Sequence, residues 1–544
     1  MKQFLFFIVI LSIFFKSELQ SQTFTHQDTL RGSITIERVW WDLLHYNLNV
    51  KVDEQQKYIS GSNTIKYKVL KSHQLMQIDL QEPLKILKVI QDKIELDFKR
   101  NGNVYYVELK KEQKIGDKNE IIIFYQGKPI ESINPPWSGG LTWKKDKAKK
   151  SFIATTCQGV GASIWWPCKD HMYDEPDEGA NIIITPPKGL MDVSNGKLIK
   201  TIDNDDGTKT FHWKVVNPIN NYGLNINIAD YSHFSEKYQG EKGILTCDYY
   251  VLPYSLKKAK IQFKQVSKML EAFEYWFGPY PFYEDGYKLV EVPYLGMEHQ
   301  SSVTYGNRFE NGYLGKDLSG TGFGLKFDFI IIHESGHEWF ANNITNKDIA
   351  DMWIHEGFTT YSEVLYLDYH FSKEAGNAYA IGIRKNIKND KPIIGIYNVN
   401  KEGSGDMYSK AAAMIHTLRQ MMNDDKKFRQ ILRGMNEDFY HQTVTSQQIE
   451  NYLSNKSTMN LNAFFNQYLR TVQIPVLEYK IENKAIKYRF KNIVKNFEIP
   501  VKVYVNNKEK WIKPNGKWQE IKTSTSNNTF RVDQNFYIDT VKKE

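Results

Sequence analysis

The stretch Ile331–Phe340, IIHESGHEWF, sets His333, Glu334, His337 and Glu338 inside an apolar run. The flanking FDFIII and WF predict a buried helix. On a helix, positions i and i+4 lie about 6 Å apart on one face. His333 and His337 can therefore each give one imidazole nitrogen to the same metal ion. Glu334 projects about 100° around the axis, where it can reach a water on that metal without ligating it. That is the place for a general base. The plainer alternative is solvated charge on an ordinary helix. The apolar flanks argue against it, because buried histidines and glutamates need partners and a cation supplies one.

A catalytic zinc usually takes three protein ligands and keeps one position for water. Working outward, Glu356 in DMWIHEGFTTYSEVLYL is the candidate third ligand. The interval from His337 lets one helix end, a loop turn and a second helix return. Glu363, seven residues further on, falls on the same face and can orient a ligand histidine by accepting its other N–H. His355 reads as a loop or first-turn histidine with no role at the metal.

The rest of the chain frames this pair of helices. At 544 residues the protein exceeds one hydrophobic core. From about residue 30 to 235 the pattern is β: YNLNVKV and TIKYKVL alternate, and hairpins are expected at Asn101-Gly102 and Asp206-Gly207. Near 255 the period changes. Ile261, Val266, Met269, Leu270 and Phe273 fit one helix face, stopped by Gly278-Pro279. Further helices are expected over 324–342, 356–370 and 407–422, with a Thr445–Gln448 capping box beyond them. After about 472 the period returns to two. The fold class is therefore multidomain α+β, divided as 22–235, 236–471 and 472–544.

Residues 1–21 read as a signal peptide ending at Ser21, with an uncleaved N-terminal anchor as the alternative: Lys2 precedes an apolar run, Phe4–Phe15, too short to span a bilayer comfortably. Export to the periplasm or the exterior is expected, with no integral membrane domain beyond that segment. Three cysteines make no disulfide framework, although Cys157 and Cys168 could pair. The net charge of +8 is spread among acidic residues with no basic tract, which excludes a nucleic-acid partner. The sequence sets no oligomeric state.

HESGH followed by Glu356 in WIHEGFTTYSE resembles the M1 family of zinc metallopeptidases, the aminopeptidase N and leukotriene A4 hydrolase group. VPYLGMEHQ resembles that family's G-x-M-E-N motif, matching Met297 and Glu298. DMYSKAAAM resembles its Y-x-K-G-A segment and places Tyr408 at the catalytic tyrosine. TTCQGVGASIWWPCKD resembles an N-terminal-domain segment in which Gln158 contacts substrate. The resemblance implies a saddle-like all-β N-terminal domain, a thermolysin-like helical catalytic domain and a small C-terminal β-sandwich, without the long helical domain of many relatives. It also implies one zinc ion on His333, His337 and Glu356, Glu334 as general base and Tyr408 as oxyanion donor. Glu298, with Gln158, Met297 and Gly296, would bind peptides with a free N-terminus. The expected function is zinc aminopeptidase. The alternatives are a zinc endopeptidase with the same ligands and a non-catalytic scaffold or binding protein. Departures are His299 for Asn, Glu338 for Gln, Ala341 for Gly, and Leu295-Gly296 for Gly-Ala.

Overall fold

The computed structural model describes residues 24–544, so the expected signal segment 1–21 lies outside the described residues. The alternation in YNLNVKV becomes the strand Trp41–Asp53, with Leu48, Val50 and Val52 buried. It pairs antiparallel with Tyr58–Val69 and parallel with Ala180–Thr185 inside an eight-stranded sheet. The hairpin joining Asp97–Asn101 to Val104–Glu108 turns at Gly102-Asn103, one residue on from the expected pair because Asn101 still pairs with Val104, and Gly102 takes φ 59° as the tight turn requires. Asp206-Gly207 likewise lies between Lys197–Asp203 and Lys209–Val215. Trp40, Trp41, Tyr46, Trp165, Trp166 and Trp213 anchor a core belonging to this β-rich domain. Two short helices, His26–Gly32 and Ile36–Val39, precede it. The second is too short to show a helical period, so it was invisible in the β-like reading from residue 30.

The strand Ser232–Gly240 straddles position 235 and pairs with Gly243–Val251, which places it in the sheet of the next domain. That five-stranded sheet ends at the edge strand Gly296–Met297. The helix expected over 255–278 is two helices, Leu256–Gln262 and Gln265–Phe277. The break between them takes Ile261 out of phase with the buried Val266, Met269, Leu270 and Phe273, and it is exposed. Gly278, at φ 95°, ends the second helix as expected.

The expected 324–342 helix is shorter, Phe329–Gly336. The Asp328 side chain caps its start by accepting from the backbone N–H groups of Ile330 and Ile331. It gives way after His337 to a wide turn, Glu338–Asn343. Helices Trp353–His370, Lys373–Gly382 and Ser409–Met422 pack around it, and the Thr445–Gln448 capping box opens a further helix. The last strands form one four-stranded and one three-stranded sheet. Their apolar residues Leu477, Ile486, Phe490, Phe497 and Phe536 join the same core as the helices. Among the described residues, no helix is long and apolar enough to cross a membrane.

Candidate active site

His333 and His337 project from the end of Phe329–Gly336 with ring centroids 5.0 Å apart. Helix Trp353–His370 runs beside them and presents Glu356. Its Oε2 lies 3.7 Å from His333 Nε2 and 3.4 Å from His337 Nε2. Ligands about 2.1 Å from a tetrahedral zinc stand roughly 3.4 Å apart, so these three atoms have the spacing of a zinc donor set. All three residues are buried.

The surroundings fix which ring nitrogens face inward. His333 Nδ1 is 2.7 Å from Glu363 Oε1, and His337 Nδ1 is 3.0 Å from the Phe340 carbonyl oxygen. A carboxylate and a carbonyl accept, so each Nδ1 carries the proton and each Nε2 presents a lone pair to Glu356. Glu356 Oε2 is itself buried and receives no hydrogen bond. A negative oxygen facing two lone pairs in a buried site is unfavourable unless a cation lies among them. The residues present therefore fit a zinc ion.

The early helix end has a consequence here. Phe340 leaves helical geometry, at φ −126° and ψ 79°, and this turns its carbonyl back onto His337. Ala341 follows at φ 155°, a conformation open to the glycine of the family pattern and costly for alanine, on the order of 1 kcal/mol or more. Glu338, in place of glutamine, accepts from Ser301 N at 2.9 Å and from the Tyr280 hydroxyl at 3.2 Å. Burial pushes its carboxyl up to about 8, so at neutral pH it is uncharged, as glutamine would be. His299 is fully buried, and burial holds it down to about 3.

Glu334 lies on the cleft side of its helix. Gly296 makes room for it: a Cβ there would stand 2.7 Å from Ile330 Cγ2 and 3.3 Å from Glu334 Cγ. Burial raises the Glu334 carboxyl to about 7, the range that suits proton transfer at neutral pH. Tyr408 precedes helix Ser409–Met422, with its ring centroid 6.1 Å from that of His333. Burial first, and then the charges of Glu356 and Glu298, raise its phenol far above the usual value, so it keeps its proton. Lys410 turns away and donates to the Thr471 carbonyl oxygen at 2.8 Å.

Glu298 follows the edge strand and is buried; its backbone oxygen accepts from Asn342 Nδ2 at 2.8 Å. Gln158 reaches across from the N-terminal domain. Its Nε2 donates to Glu298 Oε1 at 2.8 Å and to Glu356 Oε1 at 3.1 Å. The candidate metal, catalytic and substrate residues read from the sequence, Met297 included, line one cleft of about 740 Å3. Cys157 and Cys168 are both buried free thiols.

Two supporting residues went unread in the sequence. Thr359 Oγ1 lies 3.1 Å from His337 Nδ1 and donates to the Phe340 carbonyl oxygen at 3.3 Å. Its spacing of three from Glu356 was a usable signal, since Glu356, Thr359 and Glu363 share one helix face. Tyr379, on Lys373–Gly382, donates to Glu363 Oε2 at 2.5 Å and completes a Tyr379–Glu363–His333 chain. Nothing local in the sequence marks it.

Comparison with known proteins gives the geometry its context. The model of the peptidase family M1 domain matches residues 261–468, and that of the peptidase M1 N-terminal domain matches residues 43–222. Endoplasmic reticulum aminopeptidase 1 of Mus musculus is 23% identical over 346 residues, covering 60% of this chain and 36% of its own length. A probable aminopeptidase 1 of Saccharolobus solfataricus is 20% identical over 380 residues, covering 66% and 47%. The chain thus spans between about a third and a half of the length of these relatives. The crystal structure of an M1 zinc metallopeptidase from Deinococcus radiodurans superposes with a TM-score of 0.69 at 19% identity, covering 82% of this chain and 98% of that one. With both family models matched in order over most of its length, and the fold shared with a solved member, this chain belongs to the M1 family of zinc metallopeptidases.

Proposed function

We propose that this protein is an aminopeptidase that hydrolyses the first peptide bond of peptides with a free N-terminus, using one zinc ion on His333, His337 and Glu356. The observation that carries the reading is Glu298, a buried carboxylate held by the same Gln158 amide that holds Glu356. Bound zinc would supply Lewis acidity at the scissile carbonyl and lower the pKa of water. Glu334 takes the proton of the attacking water and returns it to the departing amine. The Tyr408 phenol, kept protonated by its surroundings, donates to the developing oxyanion. One such donor is typically worth about 3 kcal/mol of the barrier. Glu298 pairs with the substrate α-ammonium. An internal peptide bond brings no cation there and would leave the carboxylate desolvated and unpaired, a penalty of several kcal/mol. Export is part of the same proposal and rests on Lys2 and the Phe4–Phe15 run.

The test is one peptide in two forms, free and N-acetylated, given to the wild type and to Glu298→Ala with and without chelator. The free form is expected to be cut from its N-terminus, the acetylated form at least about a hundredfold more slowly, consistent with the charge-pair penalty. Chelator should abolish cleavage and added zinc restore it. Equal cutting of both forms would make the protein an endopeptidase. Metal-loaded protein inert on both would make it a scaffold.

A further inference from the structure

The loop Ile130–Gly139 carries large apolar side chains into water at the mouth of the cleft. Ile133 is 93% exposed and Trp137 66% exposed. An indole gains by leaving water, and one held out beside an active site marks a surface that something covers. This loop is built to hold it there. Its ends pair through Leu141 N to the Ile130 carbonyl oxygen, at 2.9 Å, and Ser132 N to the Leu141 carbonyl oxygen, at 3.0 Å. Across its neck, Asn134 N donates to Ser138 Oγ at 2.7 Å, and the Ser132 and Ser138 hydroxyls lie 2.8 Å apart.

The loop is also seated on a residue that lines the cleft, Val160. Gly139, at φ 51°, lies so close to Val160 that a Cβ would stand 2.1 Å from Val160 Cγ2. Val160 is two residues from Gln158, whose amide holds Glu298. Pro136, Trp137 and Val160 line the same cleft as the metal-site residues, whereas Ile133 does not. The apolar side chains of Pro136 and Trp137 therefore wall the same cleft as Glu298, the carboxylate assigned to the substrate amine.

We propose that Trp137, which with Pro136 and Val160 lines the cleft, is a specificity-determining residue that selects peptides whose first side chain is large and apolar. The proposal rests on the aminopeptidase reading above and adds the substrate class. An N-terminal leucine, methionine or phenylalanine would cover the exposed indole face as its ammonium meets Glu298. A charged or very small first side chain would leave it wet.

Dipeptides test this because they assign the contact to one side of the scissile bond. Wild type, Trp137→Ala, Trp137→Phe and Ile133→Ser are assayed with zinc on Phe-Ala, Ala-Phe and Ala-Ala. In Trp137→Ala, kcat/KM should fall about tenfold for Phe-Ala, within the range that hydrophobic pocket contacts supply, and stay within about twofold for the others. Trp137→Phe should recover most of the loss, and Ile133→Ser should match wild type. An equal fall on all three substrates, a fall confined to Ala-Phe, or no fall would overturn the proposal while leaving the aminopeptidase reading standing. A wild type inert on all three would overturn that reading and the proposal with it.

Discussion

On its N-terminal side the central domain meets a β domain through directional contacts between buried polar groups. Thr345 Oγ1 donates to Glu175 at 2.7 Å, Asn195 Nδ2 to the Gln300 carbonyl oxygen at 2.7 Å, and Gly196 N to Ser301 Oγ at 2.9 Å. The buried Lys288 ammonium donates to the Gly196 carbonyl oxygen. On its C-terminal side, Leu477, Phe490 and Phe497 run into one apolar core with Phe464 and Tyr468, and the Arg384 guanidinium ties down the carbonyls of Gln534, Asn535 and Phe536. Apolar burial is strong but non-directional, whereas a satisfied polar network fixes one alignment. The active site respects the difference: Gln158, Val160 and Trp137 of the N-terminal domain line the cleft, and among the described residues nothing beyond Ser409 does. One junction aligns the site, and the other stabilises the domain that carries it.

The largest expected effect tests the C-terminal junction. Phe497 is buried, and its ring centroid lies 6.3 Å from that of Tyr468. Phe497→Ala should destabilise the protein by about 4 kcal/mol, the usual penalty of an aromatic cavity. Urea unfolding measures it. Below the transition, kcat/KM should stay at the wild-type value. A variant that is stable yet slow would show that this junction also positions the site.

The next effect belongs to the N-terminal junction and depends on pH. Glu175 is buried against Thr345, and burial pushes its carboxyl up to about 7. A folded-state pKa above the unfolded value means stability that is complete below about pH 4.5 and is lost as pH rises through 7. At pH 8 the charged, buried carboxylate should cost about 3 kcal/mol. Glu175→Gln keeps an acceptor for Thr345 and cannot ionise. Its unfolding midpoint should match wild type at pH 4 and exceed it at pH 8; equal midpoints at both would remove Glu175 from the pH response.

Much of this was legible in the sequence because the local rules and the global fold agree there. Period-two runs flanking Asn-Gly and Asp-Gly became hairpins, and the spacing of His333, His337, Glu356 and Glu363 became one cluster. What was hidden depends on packing. The wide turn after His337 looks like helix in sequence, yet it is what lets Phe340 hold the imidazole. Tyr379 reaches Glu363 only because Lys373–Gly382 folds back along Trp353–His370. The loop bearing Trp137 shows no periodic pattern that marks a role, and it is the packing of Gly139 on Val160 that seats it at the cleft.

The smallest effect separates alignment from stability most cleanly. Gln158 is a single side chain from the N-terminal domain, yet one amide nitrogen serves both Glu298 and Glu356. Hydrogen bonds to charged groups are worth about 2 kcal/mol each, and Gln158 is only partly buried, so little of that should appear in folding. Gln158→Ala should unfold within about 1 kcal/mol of wild type, by the usual response to substitutions outside a core. Its kcat/KM for free-amine peptides should fall between about ten- and a hundredfold, the same energy expressed as a rate. Most of the loss should lie in KM, because the carboxylate proposed to meet the ammonium is no longer aimed, while the proton transfer proposed for Glu334 is untouched. Binding free energy that vanishes from the Michaelis complex while unfolding stays put is what an aligning contact predicts. If the variant instead melts early and keeps its kcat/KM, the polar junction holds the domains together and nothing more, and the two junctions differ only in their chemistry.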